Sequence, residues 1–233
     1  MPKVQPFSSQ ARVDRVLRLS PSVLKIRVER TDALAWSPGQ YVVLRKRIED
    51  SEVAYFSIAS APLPRPSRDF ELAVAENSNF FTEEILSGTP FFVDEAQGDA
   101  PYERLADAQV VVLIGMGTGV APLRAIAQAL TAERSELAKS RAIIFLQGCR
   151  SNGDCLFYDE LLAMYPSLDY RPVYSQAEAN FPGRSGRVQE HLKDLPIEGA
   201  EYCVCGSGEM VMQVSELLKA RGLPAERLFG EGS

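Results

Sequence analysis

The feature that most constrains this 233-residue chain is the stretch 110–124, which reads VVVLIGMGTGVAPLR. An unbroken apolar run precedes the first glycine, a pattern typical of a strand that is covered on both faces. Gly115, Gly117 and Gly119 then require a sharp turn, and Pro122 lies where the first turn of a helix tolerates a residue without an N–H. The stretch therefore predicts a buried strand, a glycine turn and a helix N-terminus in direct succession.

A turn of this kind is suited to binding a phosphate or a pyrophosphate. Glycines let backbone N–H groups approach an anion closely, and the helix N-terminus adds unpaired donors and about half a positive charge. The spacing differs from the dinucleotide fingerprint GxGxxG, because Val120 stands where the last glycine would be. An ordinary strand-to-helix turn that needs glycine for its geometry alone stays open as the alternative.

Composition and charge narrow the class of protein. Hydrophobic residues make up 45% of the chain and charged residues 24%, as in a globular protein with one large domain or two modest ones. The chain has no apolar run of signal-peptide length at its start and no membrane-spanning run, so we expect a cytoplasmic protein. The net charge of −6 argues against nucleic acid as the main partner.

The first thirty residues are basic, with seven Lys or Arg residues against Asp14 and Glu29. A basic face of this kind is able to steer an acidic partner protein. The interpretation that we favour is simpler: strand edges guarded against aggregation by solvated Lys and Arg side chains.

The hydrophobic pattern changes period along the chain, which predicts two domains. Short alternating strands up to residue 93 indicate a small antiparallel barrel. From residue 110 onward, apolar strands and helical segments alternate, which predicts a doubly wound α/β parallel sheet whose ligands lie at the carboxyl ends of the strands. The polar segment 95–108 separates the two patterns, so we place the domains at 1–105 and 106–233. The predicted strands after a first one near Val13 are 23–28, 41–44, 56–59, 70–75, 110–114, 142–146, 170–174 and 202–205, and the predicted helices are 80–86, 122–138, 157–165, 187–195 and 209–221.

Few side chains suit acid–base or metal chemistry. His191 is the sole histidine and stands on a predicted helix among charged residues, which nearly excludes histidine-based triads and multi-histidine metal sites. The four cysteines lack the CxxC spacing of zinc sites, so we expect free thiols. The alternative of an unrelated phosphate-binding hydrolase is disfavoured, because the sequence offers no plausible base near the glycine turn. The pattern favours an enzyme whose cofactor carries the reaction.

Three segments together resemble the ferredoxin–NADP reductase superfamily. They are GMGTGVAPLR at 115–124, CGSGEM at 205–210 and YFSIAS at 55–60, which are similar to the family motifs GxGTGxAPxR, CGPxxM and RxYS. The resemblance covers nearly the whole chain. It implies an N-terminal flavin-binding barrel of the Greek-key type, a C-terminal nicotinamide-nucleotide domain, and transfer of hydride from NADH or NADPH to FAD.

The resemblance also implies which residues bind the nucleotide. Gly115, Gly117, Thr118 and Gly119 would cradle the pyrophosphate, and Cys205 would lie beside the nicotinamide, where a polarizable thiol helps to set the donor–acceptor distance without reacting. A buried core cysteine is the alternative reading of Cys205. The other residues implied in nucleotide binding are Pro122, Arg150, Ser175, Arg184, Gly206 and Met210.

Which nicotinamide cofactor is preferred stays open. Gln176 follows Ser175 where NADP-preferring relatives usually have an arginine, which favours NADH. Arg150 and Arg184 nevertheless lie in loops from which they would reach a phosphate.

For the flavin, the positions that match RxYS are Ala54, Phe56 and Ser57, with Tyr55 between them. Phe56 would stack on the ring and Ser57 would hydrogen-bond to it, but Ala54 lacks the cation that pairs with pyrophosphate. Losing one charged hydrogen bond costs about 1.5–3 kcal/mol, so we expect weakly bound FAD, or FMN in its place. A second phosphate site is implied at the residues Asn79, Phe80, Phe81 and Thr82.

The sequence thus predicts a two-domain flavoenzyme in which Ser57, Cys205 and Glu231 serve catalysis. Glu231 stands where many relatives place an aromatic or acidic residue over the flavin, although a frayed terminal residue is an equal reading. Electrons would pass to a separate acceptor: a ferredoxin, an oxygenase component, a cytochrome or a small molecule. The alternative is a regulatory or electron-transfer subunit that binds nucleotide but holds flavin weakly or not at all.

Overall fold

The computed structural model describes residues 8–62, 66–177 and 183–232. Two six-stranded sheets follow one another along the chain, the first antiparallel and the second parallel. The predicted fold class, a barrel followed by a doubly wound sheet, is confirmed. No helix within the described ranges is long and apolar enough to cross a lipid bilayer.

The first sheet closes into a barrel. Its strands lie in the order β4-β3-β6-β1-β2-β5, and the two outer strands meet where Ile58 bridges Leu72 and the Ala59 amide donates to the Glu71 carbonyl at 2.7 Å. The elements are β1 (Ser9–Ser20), β2 (Val23–Leu34), β3 (Tyr41–Arg45), β4 (Ala54–Ser57), β5 (Ser67–Ala75), the short helix α1 (Glu83–Leu86) and β6 (Phe91–Val93).

Alternation along the strands places one set of side chains inside the barrel. In β2, Ile26 and Val28 are fully buried, while Arg27 between them points outward and pairs with acidic side chains. Removal of such side chains from water supplies most of the stabilisation of a small barrel, since each buried aliphatic side chain contributes roughly 1.5–3 kcal/mol.

Acidic residues from neighbouring strands offset the basic charges of β1. Arg12 lies 2.7 Å from Glu29, and Arg18 lies 2.6 Å from Glu76. Lys3 lies outside the described residues. Because exposed pairs of this kind are worth little in stability, their main effect is to neutralise the outer face of the barrel.

The second sheet has the strand order β10-β9-β8-β7-β11-β12, and all of its pairings are parallel. The elements are α2 (Pro101–Ala106), β7 (Val110–Met116), α3 (Val120–Ala132), α4 (Glu136–Ser140), β8 (Ala142–Cys149), α5 (Tyr158–Ala163), β9 (Asp169–Tyr174), β10 (Arg184–Ser185), β11 (Ala200–Gly206), α6 (Gly208–Ala220) and β12 (Leu228–Gly232).

The central strand β7 is covered on both faces, as its unbroken apolar run predicts. Val111 and Leu113 share one core with α3, whereas Val112 and Ile114 share the other with α6. Because β7 and β11 are parallel neighbours, the glycine turn after β7 lies beside the turn that follows Cys205. The sheet thereby places both sequence motifs at one edge.

Several predicted elements differ from the observed ones. The single helix predicted over 122–138 is two helices, because Glu133 is extended and Ser135 then caps α4 through a bond from the Ala138 amide. The helix predicted over 187–195 is a 3₁₀ helix, Val188–Asp194. The strand predicted over 56–59 is β4, which begins and ends two residues earlier.

Candidate functional site

The glycine turn leads directly from β7 into α3, and its three glycines have different roles. A Cβ on Gly119 would lie 2.6 Å from the backbone of Cys205, and one on Gly115 would lie 2.6 Å from the Leu123 side chain. Gly117 instead has a φ of +54° and open space around it. Close packing therefore requires glycine at two positions, and backbone conformation favours it at the third.

A cavity of about 420 Å³ opens at this edge of the sheet. It contains Gly117 together with the predicted residues Arg150, Ser175 and Met210. Its remaining walls come from the barrel, the loop after β8, the 3₁₀ helix and α6: Ser20, Ser22, Val23, Met116, Gly148, Cys149, Asp154, Leu156, Val173, Gln176, Gly186, Arg187, Val188, Gln189, Ser207, Glu209 and Gln213. We call this space the nucleotide cavity.

Two arginines line the nucleotide cavity together with two carboxylates, Asp154 and Glu209. Arg150 donates from Nε to the Gln176 side chain at 3.1 Å, and Arg187 immediately precedes the 3₁₀ helix. Arg187 was missed by sequence reasoning because nothing in the chain order shows that the 3₁₀ helix returns to this cavity. Arg184, which was predicted to bind nucleotide, instead pairs with Asp194 at 2.9 Å and lies outside the lining of the cavity.

All four cysteines are buried and free, which confirms the prediction of free thiols. The sulfurs of Cys149 and Cys155 lie 2.8 Å apart beside the nucleotide cavity. Cys203 and Cys205 lie on β11. Burial, with a smaller contribution from the charge of Glu231, raises the pKa of Cys205 to about 12, so this side chain is a neutral thiol near pH 7.

A second cavity, of about 530 Å³, lies between the barrel and the parallel sheet, and we call it the cleft. It brings together Ser57, Cys205 and Glu231, the three side chains predicted to serve catalysis. The barrel also contributes Tyr41, Tyr55, Phe56, Ala73, Ala75 and Ser78, and the sheet edge contributes Thr118, Gly119, Ala121 and Gly232.

The aromatic wall of the cleft is formed by Tyr41, Tyr55 and Phe56. Tyr55 is 64% exposed and packs edge-to-face on Tyr41, with ring centroids 5.8 Å apart. Phe56 packs its ring against Phe80 and Phe81 at 6.2 and 5.2 Å, so it turns only partly toward the cleft. Side chains alternate along a strand, which is why neighbours on β4 face opposite ways.

The segment predicted as a second phosphate site contributes little from its side chains. The side chains of Phe80 and Phe81 are buried in the barrel core, and the predicted binding of a phosphate by the backbone amides of this segment stays a prediction. Asn79 is exposed, and Thr82 is half-buried immediately before α1, without a side-chain bond to the helix. Large apolar rings gain more from burial than from a polar phosphate, which explains their inward position.

The cleft is almost without charge. None of its described lining residues is Lys or Arg, and Ala54 is a half-buried residue packed against the barrel core. Glu231 is the one ionisable carboxylate of this lining, and it pairs in register with Cys205. Partial desolvation and, to a smaller extent, the negative charge of Asp99 raise the pKa of Glu231 above its ordinary value, although the residue as a whole is exposed.

A neighbouring cavity of about 490 Å³ shares Tyr41, Cys205 and Glu231 with the cleft. Pro122, which was predicted to bind nucleotide, lines this cavity and not the nucleotide cavity. Gly206 lies between the cavities, and a Cβ there would approach Met210 Cε at 2.6 Å. Of the residues predicted for the glycine turn, Gly117 lines the nucleotide cavity, Thr118 and Gly119 line the cleft, and Gly115 lines none of these three cavities.

Comparison with known proteins agrees with this geometry. Residues 113–216 match the sequence model of the oxidoreductase NAD-binding domain. Ferredoxin–NADP reductase B of Sorangium cellulosum is 29% identical over 99% of both chains. The electron transfer component XylA of the Pseudomonas putida xylene/toluene monooxygenase is 26% identical over 97% of this chain, which spans 65% of the length of that relative.

Solved structures show the same fold. A ferredoxin–NADP⁺ reductase from Neisseria gonorrhoeae, determined with bound FAD and NADP, superimposes with a TM-score of 0.81 and 20% identity over 98% of this chain and 99% of that one. The Amycolatopsis cytochrome P450 reductase GcoB gives a TM-score of 0.82 with 24% identity over 97% of this chain and 69% of that one.

Proposed function

We propose that the chain is a member of the ferredoxin–NADP reductase superfamily and a flavin-dependent NAD(P)H oxidoreductase, which its similarity to a ferredoxin–NADP reductase over nearly its whole length supports. In this proposal hydride passes from NADH or NADPH to FAD, and electrons then pass to a separate acceptor. The proposal rests mainly on one observation: Ser57, Cys205 and Glu231 line the same cleft, beside the glycine turn.

The cleft fits the ring of a flavin. Tyr41 and Tyr55 offer aromatic surface, Ala73 and Ala75 leave room beside it, and the Ser57 hydroxyl is placed to hydrogen-bond a polar edge. A flavin bound here supplies what no side chain of the cleft supplies, acceptance of two electrons as hydride and their release singly or in pairs.

The nucleotide cavity fits a dinucleotide. We propose that the amides of the turn from Gly115 to Gly119, with the Thr118 hydroxyl, hold the pyrophosphate at the start of α3. Arg150, Arg187 and Ser175 would then bind the adenosine end, and Met210 would pack beneath it. Gly117 lines the nucleotide cavity while Thr118 and Gly119 line the cleft, so a nucleotide bound at the glycine turn would lie next to both spaces.

Cys205 and Glu231 have separate roles in this proposal. The neutral thiol of Cys205 supports the nicotinamide ring and fixes its distance from the flavin without forming a bond to it. Glu231 lies at the rim of the cleft, from where its carboxyl would exchange a proton with the reacting centre, and the direction of its pKa shift favours the protonated form.

The acceptor is proposed to be a separate molecule. Names of relatives include electron transfer components of oxygenases and ferredoxin–NADP reductases, which supports an oxygenase component or a ferredoxin. The ion-paired outer face of β1 gives no reason to expect an acidic partner there. We retain the domains 1–105 and 106–233, and a cytoplasmic location, as predictions.

The proposal is tested by visible absorption spectra of the purified protein, before and after addition of FAD. Anaerobic NADH or NADPH is then added. We expect the absorption bands of the flavin to bleach with at least one of the two nucleotides. The nucleotide that bleaches them faster is the preferred cofactor. A protein that takes up no FAD contradicts the enzyme proposal and favours the alternative of a non-catalytic subunit, for which the absence of a cation at Ala54 is the supporting observation.

A further inference from the structure

Arg124 stands in the sequence motif of the glycine turn, but the proposed function gives it no role. Its side chain is buried, with the residue 3% exposed, between α3 and the barrel. Nη1 donates to the Ala59 carbonyl and to the Glu71 carboxylate, both at 2.7 Å. Nε and Nη2 donate to the two oxygens of Glu160 at 2.9 and 2.8 Å.

These bonds connect the two walls of the cleft. Arg124 lies on α3, the helix that begins at the glycine turn. Ala59 follows Ser57 by two residues, and Glu71 lies on β5, whose later residue Ala73 lines the cleft. One guanidinium therefore joins the wall that faces the flavin to the helix that carries the nucleotide turn.

Other groups complete this interface cluster, which we define as Arg124, Ala59, Glu71, Gln128 and Glu160. Gln128 accepts from the Ala61 amide at 2.9 Å and donates to Glu160 at 2.7 Å. Although burial alone would raise the pKa of Glu71, the attraction of Arg124 and Lys25 outweighs it and lowers that pKa, so Glu71 stays ionised. Each charge in the cluster thus has an opposite charge or a hydrogen bond.

The ring beneath Arg124 adds an independent observation. The Arg124 guanidinium lies 4.4 Å from the centroid of Phe157. Phe157 has a φ of +58°, and it is the only non-glycine with a positive φ among the described residues. Conformations of this kind persist where the surrounding structure fixes them, and they often occur beside functional sites.

We propose that Arg124 is a positioning residue that sets the distance between the nicotinamide and the flavin by fixing the barrel against α3. This inference rests on the proposed function. Hydride transfer is sensitive to such a distance, since a displacement of about 1 Å can lower a rate by roughly 100-fold. Lysine cannot replace arginine here, because one ammonium group cannot bond in a plane to two carboxylates and a carbonyl.

The test compares Arg124→Lys with Arg141→Lys. Arg141 is also buried and bonded to a carboxylate, Glu133 at 2.7 Å, and to the carbonyls of Ala106 and Ala108. It precedes β8, at the amino ends of the strands and away from the cleft. The FAD-loaded proteins are mixed with saturating NADPH or NADH in a stopped-flow instrument. Dissociation constants for FAD and for NADP⁺, thermal unfolding and hydrogen exchange of the FAD-free protein are measured in parallel.

We expect Arg124→Lys to lower the rate of flavin reduction at saturation by about tenfold or more, with both dissociation constants within about threefold. Hydrogen exchange at the Ala61 amide, which bonds to Gln128, should become faster. Arg141→Lys should lower the melting temperature but keep the reduction rate within about twofold. If Arg124→Lys fails to fold, Glu160→Gln retains the bonds to the barrel and should lower the rate by a smaller factor.

The inference would be overturned if Arg124→Lys and Arg141→Lys lowered the melting temperature equally and Arg124→Lys left the rate of flavin reduction unchanged. The interface cluster would then be merely structural. That result differs from failure of the proposed function, in which the unsubstituted protein is itself not reduced by either nucleotide.

Discussion

The nucleotide cavity and the cleft adjoin one another, but their linings differ in the number of charged side chains. The nucleotide cavity combines a glycine turn with Arg150, Arg187, Asp154 and Glu209. The cleft has no Lys or Arg among its described lining residues and offers tyrosine rings, small side chains and one hydroxyl. Charge and backbone approach thus dominate one binding site, and aromatic packing dominates the other. We therefore expect the two binding sites to differ in how they respond to a substitution that adds bulk and to one that adds charge.

The largest effect is expected from Gly119→Ala, which tests how closely the two sites adjoin. The added Cβ would lie 2.6 Å from backbone atoms of Cys205 and Gly206, so α3 must move away from β11. We expect flavin reduction by NAD(P)H to slow by roughly 100-fold, because a shift of about 1 Å suffices for that. Stopped-flow reduction measures the effect.

Gly199→Ala is the matched control for this substitution, because Gly199 immediately precedes β11 at the end of the strand away from the cleft. No neighbouring atom lies within 4 Å of its Cβ, and only the φ of +69° opposes alanine. A cost of about 1–2 kcal/mol is expected, which is visible in thermal unfolding but leaves the reduction rate little changed. Equal rates for the two variants would show that the approach of Gly119 to Cys205 does not matter for transfer.

A smaller effect is expected when charge is added to the barrel by Ala54→Arg. A guanidinium at the half-buried position 54 restores a partner for the flavin pyrophosphate, so FAD should bind about 10- to 100-fold more tightly. Ala54→Met adds length without charge and should leave the affinity nearly unchanged. Fluorescence titration at two salt concentrations measures the gain, which should shrink as salt screens it. Equal gains in both variants would assign the effect to packing.

The smallest effect concerns Glu231 and pH. Because its folded-state pKa is raised, protonated Glu231 contributes stability below its ordinary pKa of 4.5, and this contribution is lost as pH rises through the higher value. The Glu231→Gln variant has no ionisable group at this position, so its stability lacks this dependence on pH. In urea unfolding, the natural protein should therefore lose stability relative to the variant as pH rises from about 4.5. A constant difference between the two proteins would contradict the raised pKa.

Much of the fold is predictable because periodicity determines it. The unbroken run of β7 and the alternation in β2 placed both strands correctly. Two parallel strands were missed for physical reasons. β10 has two residues, too few to show a period, and β12 reads LFGEG, whose glycines weaken any strand pattern.

Less of the site is predictable. The glycines and Cys205 stand out as motifs, but the aromatic wall depends on tertiary packing. Tyr55 and Phe56 both line the cleft, but how far each ring turns toward it depends on packing against Tyr41, Phe80 and Phe81, which the sequence does not show. Tyr41 and Arg187 reach the two cavities from segments distant in sequence, and only tertiary packing brings them there.

The parallel pairing of β7 with β11 has a consequence for the order in which the protein is made. The glycine turn leaves the ribosome well before Cys205, which lies nearly ninety residues later in the chain. At about 5–20 residues per second this is a delay of roughly 4–18 seconds. During that time the barrel is complete, but the glycine turn has no β11 beside it. The cofactor sites therefore come into being only once β11 and β12 have joined the sheet.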